Sequence, residues 1–493
     1  MSTPSCPWRA RRTSGRALPW DLPGKHLSPT ALLSGVTAAA LLALALVGVA
    51  RPRLALAGAA ALAAGVAACR WRDFPVWAAV AAAPVYLVLT PLVGLDVSLS
   101  QALAGIALAV VVTRRLATGT FGNVTSAVSR AVLVLWLVTT VSLARHPWSS
   151  AALAVYSGQL TQIIWFLLGL YAVESARQAR TLMAIAALCG VGMAVLGVLQ
   201  AALGPAWTTS FLGSPIGESL IGGYGAQAAR EGRAAYWEGE FLGPASVCTG
   251  LYHHGNFYAI YLTYVLWFCG ALCVTEQQRP LRVLYALGTL LLATNVVLTQ
   301  SKSGIIVSVA VAIALALVIS RRRRLGFAVL GAMALVLVAY GLSVSPTFLE
   351  TTYASWLRAP PWRVRASMWS FVLWHVTEEL WLGHGATAFP TARPPILGHP
   401  HNLYLRFLYT HGLAGLAALL GILGLWIRAL WRWRPTDTVQ RALRAAFAAV
   451  CACFMLLAVP QDPLWHGGNA AMFWLWLGVS DGCAGEAARC QQP

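Results

Sequence analysis

His401 and Asn402 open an apolar run, His401-Asn402-Leu403-Tyr404-Leu405-Arg406-Phe407-Leu408-Tyr409-Thr410-His411-Gly412. An imidazole at a helix start meets the positive end of the helix dipole, which disfavours the imidazolium. A neutral ring accepts a proton, so His401 is the candidate general base; a plain satisfied polar group is the alternative. Asn402 is of the residue type that caps helix N-termini. Arg406, a turn deeper, is costly against lipid and is expected to face the bundle interior. Lys302, in Thr299-Gln300-Ser301-Lys302-Ser303-Gly304, is a cation at a second helix start, where backbone N–H groups also favour anions. Snorkelling explains the same lysine, and the stretch lacks the glycine pattern of a Walker A loop. Arg363 and Arg365 lie in Pro360-Pro361-Trp362-Arg363-Val364-Arg365-Ala366-Ser367-Met368-Trp369. Arginine presents a planar fork to a phosphate, whereas an amphipathic surface helix accounts equally for these residues. His399-Pro400-His401 has no carboxylate or cysteine beside it to complete a metal set. Asp462 and His466 share a short loop and could pair, with a surface contact as the plainer reading.

What must hold these groups is set by composition. The 493 residues are 58% hydrophobic and 10% charged, with a formal net charge of +19. Soluble globular proteins carry roughly 25% charged residues, so a soluble fold is excluded. Apolar runs near the length needed to cross a bilayer recur throughout, and in lipid such runs become helices. The expected fold is an all-α integral membrane protein, a polytopic bundle of about 12–14 transmembrane helices with a long outer loop carrying short helices.

Arginines set the expected topology. Arg321-Arg322-Arg323-Arg324 belongs inside, and counting from it puts Arg428 to Arg444, Glu174 to Arg180 and Arg114 to Arg130 inside as well. The chain then divides into a cytoplasmic tail (1–29), N-terminal helices (30–203), an outer loop (204–254), central helices (255–345), a long outer loop (346–400), C-terminal helices (401–481) and a cytoplasmic tail (482–493). Both long loops are rich in aromatics, which suit a membrane interface or stacking on sugar rings. Cysteines fall mostly in apolar runs as small hydrophobes; Cys248 alone looks exposed on the outer side, so no disulfide framework is expected.

Three local patterns give the chain a resemblance to the O-antigen ligase and O-antigen polymerase superfamily of bacterial inner-membrane glycosyltransferases. His401-Asn402-Leu403-Tyr404-Leu405 through Gly412-Leu413-Ala414-Gly415 resembles its His-Asn-x-x-Leu stretch. Arg365 with Trp369, then Leu382-Gly383-His384-Gly385, resembles its Arg-x-x-x-Trp and Gly-x-Gly segment. Ser301-Lys302-Ser303-Gly304 resembles its Ser-Arg-Gly helix start, with lysine for arginine. More weakly, His254-Gly255-Asn256-Phe257-Tyr258-Ala259 resembles its Asn-x-x-Ala helix, with Arg230 or Arg233 in place of the arginine usual upstream.

The resemblance implies transfer or polymerisation of a glycan linked to undecaprenyl pyrophosphate. The acceptor hydroxyl would belong to lipid A core, a growing chain or a protein, at the periplasmic face of the inner membrane. The two outer loops, 204–254 and the long one with its short helices, 346–400, would then be periplasmic loops. The bond broken is already activated, so neither metal nor nucleotide cofactor is implied, and nucleic acid is not an expected partner. His401 would be the base; Arg365, Lys302, Arg363, Asn402, Asn256 and Arg233 would bind pyrophosphate or glycan. The competing reading is a polytopic transporter or flippase of a polysaccharide pathway. Transporters place polar groups near the bilayer midplane in repeated halves. Here the polar groups lie at helix ends, without an internal repeat.

Overall fold

A computed structural model describes residues 73–84, 98–117, 126–145, 150–212, 248–252, 255–319, 360–385, 400–464 and 466–489. Arg233, His253 and His254 lie outside them, as do Arg51, Arg53, Arg230 and the 321–324 arginine run. The protein is an all-helical membrane bundle, and twelve helices run through the described residues. They are α1 (Phe74–Ala82), α2 (Leu99–Ala117), α3 (Ala127–Ala144), α4 (Ser150–Ala172), α5 (Ala176–Leu212), α6 (Gly255–Thr275), α7 (Arg279–Leu298), α8 (Lys302–Ile319), α9 (Pro360–His375), α10 (Leu403–Arg432), α11 (Thr438–Leu457) and α12 (Gly467–Arg489). Among the described residues seven are long and apolar enough to cross a membrane: α2, α3, α5, α6, α7, α10 and α11. Their outer faces carry exposed leucines such as Leu137, Leu188 and Leu287, the surface that lipid requires.

Local chemistry starts and bends these helices. Ser126 caps α3 by accepting from Ser129 N at 2.9 Å, and Asp437 caps α11 by accepting from Gln440 N at 2.8 Å. Helix α5 passes through a break at Gly204 and runs to Leu212, so the segment beyond 203 begins as helix. Helix α12 continues past 481 to Arg489.

Helix α6 is the axis of the bundle and packs on α5, α7, α8, α11 and α12. Its tyrosines Tyr258, Tyr261 and Tyr264 are fully buried. The most extensive helix pair is α4 with α12, where glycines let the backbones touch. A Cβ on Gly478 would lie 2.8 Å from Leu170 N, and one on Gly169 2.9 Å from Val479 N. Small residues at such crossings are the usual means of close helix packing in lipid.

Cys248 is not exposed, contrary to the sequence reading; it is fully buried, with Sγ 3.4 Å from Asn295 Oδ1. The cause is Gln200, also fully buried. Its side chain accepts from Thr249 N and Gly250 N at 3.0 and 2.8 Å and donates to Gly250 O at 2.9 Å, folding this segment into the bundle. The described cysteines are all free thiols.

Candidate active site

The start of α8, helix α9, the start of α10 and the turn between α11 and α12 converge on one end of the bundle. That turn, Ala458 to Leu464, ties the others together. Leu403 N donates to Ala458 O at 2.9 Å and to Gln461 O at 3.2 Å. Gln461 Nε2 donates to Ser303 Oγ at 3.4 Å, which reaches the first turn of α8. Arg365 Nη1 donates to Pro460 O at 3.1 Å, which brings in α9.

Asp462 is the anchor of the turn. It is 1% exposed, and its carboxylate faces Arg406, with Nε 2.5 Å from Oδ2 and Nη2 donating to Oδ1 at 3.2 Å. Leu464 N donates to the same Oδ1 at 3.1 Å. Arg406 is thus turned inward, as the cost of a cation against lipid requires. The surface contact read for Asp462 from the sequence is corrected: the carboxylate is buried against Arg406. His466 packs on the rings of Tyr252 and Phe257, at centroid distances of 4.5 and 5.6 Å.

Arg365 and Trp369 are four residues apart on α9 and therefore share a face. Trp369 Nε1 donates to Pro400 O at 2.9 Å, one residue before His401. Trp374 on the same helix is exposed, as a surface helix expects, whereas Arg365 and Trp369 are half-buried and bonded to other elements. His401 is half-buried in the left-handed region at φ +48°, just ahead of the helix. Asn402 Oδ1 accepts from Leu405 N at 3.0 Å, so Asn402 is the N-cap of α10 and is itself buried. Capping occupies that oxygen of Asn402.

Ser301 Oγ accepts from Gly304 N at 3.3 Å and caps α8. A Cβ on Gly304 would lie 2.8 Å from the Cβ of Ala259, so the first turn of α8 sits directly on α6. Asn256 is three residues before Ala259, on that same face of α6. Lys302 is exposed and feels the positive charge of Arg365. Burial pulls the Arg365 guanidinium below its ordinary pKa. The 458–464 turn, bonded to Ser303 on one side and to Arg365 on the other, brings these two cations, 63 positions apart in sequence, to the same end of the bundle. The backbone of Arg363 belongs to α9, while its side chain lies outside the described residues.

The Leu382-Gly383-His384-Gly385 segment meets α10 where that helix breaks. Gly412 has φ +64° inside α10 and Gly383 has φ +70°. A Cβ on Gly383 would lie 2.5 Å from Gly412 N. His384 N and Gly385 N donate to Tyr409 O and Thr410 O at 2.9 and 3.0 Å, while Leu413 N and Ala414 N donate to Leu380 O and Trp381 O at 2.8 and 3.1 Å. These bonds satisfy the backbone groups that the break frees. Ser142 Oγ of α3 makes contacts of 2.7 Å to Leu382 O and 3.0 Å to Thr410 O, clamping both strands of the junction. His411, just before the break, is fully enclosed, with Nε2 3.4 Å from Gln159 Nε2.

Residues 287–420 match the family model described as O-antigen ligase. The match bears out the resemblance read from the sequence. It covers a little over a quarter of the chain, and Lys302, Arg365, His401 and Asn402 all fall within it. Asn256, Arg406's partner Asp462 and the rest of the 458–464 turn lie outside the O-antigen ligase match, so their part in the site rests on geometry alone. No curated protein matches the chain.

Sequence reasoning placed Asp462 in a short loop but missed that this turn joins the elements of the site. Its signal was Pro460-Gln461-Asp462-Pro463, a polar, proline-bounded step between two apolar runs that carries a carboxylate opposite an intramembrane arginine.

Proposed function

We propose that the protein is a membrane glycosyltransferase of the O-antigen ligase or polymerase type. It transfers a glycan from undecaprenyl pyrophosphate to an acceptor hydroxyl at the periplasmic face. The observation that carries this reading is geometric: the 458–464 turn joins the first turn of α8, Arg365 and the start of α10, so Lys302, Arg365 and the loop that presents His401 share one end of the bundle. Cations gathered at that end suit an anionic leaving group, and the O-antigen ligase match supports a lipid-linked glycan as the donor.

In this reading His401 accepts the proton of the acceptor hydroxyl as its oxygen attacks the anomeric carbon. The bond from that carbon to the pyrophosphate oxygen breaks, and the electron pair leaves with the lipid pyrophosphate. Lys302 and Arg365 stabilise the charge as it develops. His401 then releases its proton to solvent. Asn402 and the Arg406–Asp462 pair hold the start of α10 so that His401 meets the acceptor. Asn256 borders the same region from α6, and Arg363 and Arg233 are further candidates for glycan or pyrophosphate contacts.

The test is reconstitution. Purified protein in detergent receives undecaprenyl-pyrophosphate-linked glycan with lipid A core, glycan or hydroxyl-bearing peptide offered in parallel. Release of undecaprenyl pyrophosphate that depends on one acceptor supports the reading and names the acceptor class. No release with any of the three rejects it.

A further inference from the structure

At the end of α10 opposite His401, a cavity of about 440 Å³ opens between α3, α10 and α12. The thirty residues of α10, with the break at Gly412, separate the two ends. Arg130 of α3, Arg428 and Arg432 of α10, and Arg434 just beyond it line the cavity. Among the described residues Asp481 is the one acidic side chain in its wall.

That carboxylate is already engaged. Asp481 is 5% exposed, and its Oδ2 accepts from Ser126 Oγ at 2.5 Å and from Ser129 Oγ at 3.1 Å, at the positive end of α3. It therefore answers the first turn of α3 and leaves a surplus of positive charge on the arginine side. Arg428 and Arg432 are four apart, on one helix face, where like charges repel unless an anion bridges them. Leu425, Ala429 and Ala484 make the remaining wall apolar.

This end of the bundle also gathers the basic turns. Arg115 Nη2 donates to Tyr171 O at 2.8 Å, Arg180 pairs with Glu276 at 2.7 Å, and Arg444 donates to Trp433 O at 2.8 Å. By the positive-inside rule it is the cytoplasmic end.

We infer that this cavity binds the phosphate headgroup of an anionic membrane lipid of the inner leaflet. Guanidinium forks suit the phosphate oxygens, and the apolar wall suits the glycerol and first acyl carbons. Basic pockets between helices at a cytoplasmic face are the recognised form of such sites. An inorganic phosphate shares the charge but has nothing to place on Leu425 and Ala429. The inference is independent of the reaction proposed at the other end of the bundle.

The full-length protein is delipidated in detergent and titrated with phosphatidylglycerol or phosphatidylcholine, with retained lipid read by native mass spectrometry. Phosphatidylglycerol should be retained about tenfold over phosphatidylcholine, with the preference shrinking as salt rises. Arg428→Gln/Arg432→Gln should remove that preference. Arg428→Lys/Arg432→Lys should keep part of it, and Arg441→Gln, an exposed arginine outside the cavity, should keep all of it. Equal retention of the two lipids by the unaltered protein would overturn the inference without recourse to any variant. So would an unchanged preference in the folded double glutamine variant. Displacement of phosphatidylglycerol by equimolar inorganic phosphate would overturn the lipid assignment.

Discussion

Trp369 Nε1 donates a 2.9 Å hydrogen bond to the carbonyl of Pro400, the residue before His401. One helical turn away, Arg365 makes the corresponding bond to Pro460. Helix α9 therefore grips both loops that frame the candidate base. Trp369→Phe removes the donor and leaves a ring of nearly the same bulk. A buried hydrogen bond of this kind contributes about 1 kcal/mol. The expected result is a slightly lower melting temperature with a larger fall in kcat than in apparent glycan affinity, measured by detergent melts and initial rates.

His401→Ala should lower transfer by about 100-fold or more, the usual contribution of a positioned base. Expression and thermal stability should stay close to the unaltered protein, because α10 is capped by Asn402 and not by His401. Transfer rates near normal in the purified variant would remove the base assignment.

Arg365 and Lys302 should respond differently to conservative exchange. Arg365→Lys loses the planar fork that reaches Pro460 O, and activity is expected to drop by about tenfold. Lys302→Arg keeps a cation at the exposed start of α8 and should retain most activity. Comparing the two in the same lipid-linked glycan assay checks whether geometry matters at one position and charge alone at the other.

Asp462→Ala strands Arg406 without its buried partner. Breaking a buried ion pair from one side costs on the order of 3–5 kcal/mol, and Arg406 retains some access to solvent, so about 3 kcal/mol is expected. Arg406→Leu combined with Asp462→Ala should recover part of that loss, because no charge is left unpaired. Melting temperatures of the two variants decide it; equal destabilisation would show the pair to be incidental.

Much of this arrangement is legible in the sequence. The helical membrane fold followed from apolar runs that lipid leaves no other way to satisfy. Asn402 as a cap and Arg406 as an inward cation followed from residue type and depth. The spacing of Arg365 and Trp369 put them on one face, though not what that face would touch. Contacts distant in sequence were not legible. Asp462 lies 56 residues from Arg406, and nothing local in Pro460 to Pro463 says which helix it will meet. Cys248 was misplaced because its burial depends on Gln200, 48 positions away, supplying three hydrogen bonds to an irregular segment. Gly383 and Gly412 each look like ordinary glycines; only their apposition shows why neither tolerates a side chain.

The break at Gly412 turns α10 from a single rod into a shaft with a separate headpiece. Residues 403–411 form that headpiece, and it is held by the strap from Leu380 to Gly385 and by the 458–464 turn, not only by the twenty residues, 413–432, that follow the break. A change in the strap would therefore re-aim His401 while the membrane-embedded shaft stayed still, so the reach of the imidazole can be adjusted without disturbing the bundle that anchors it.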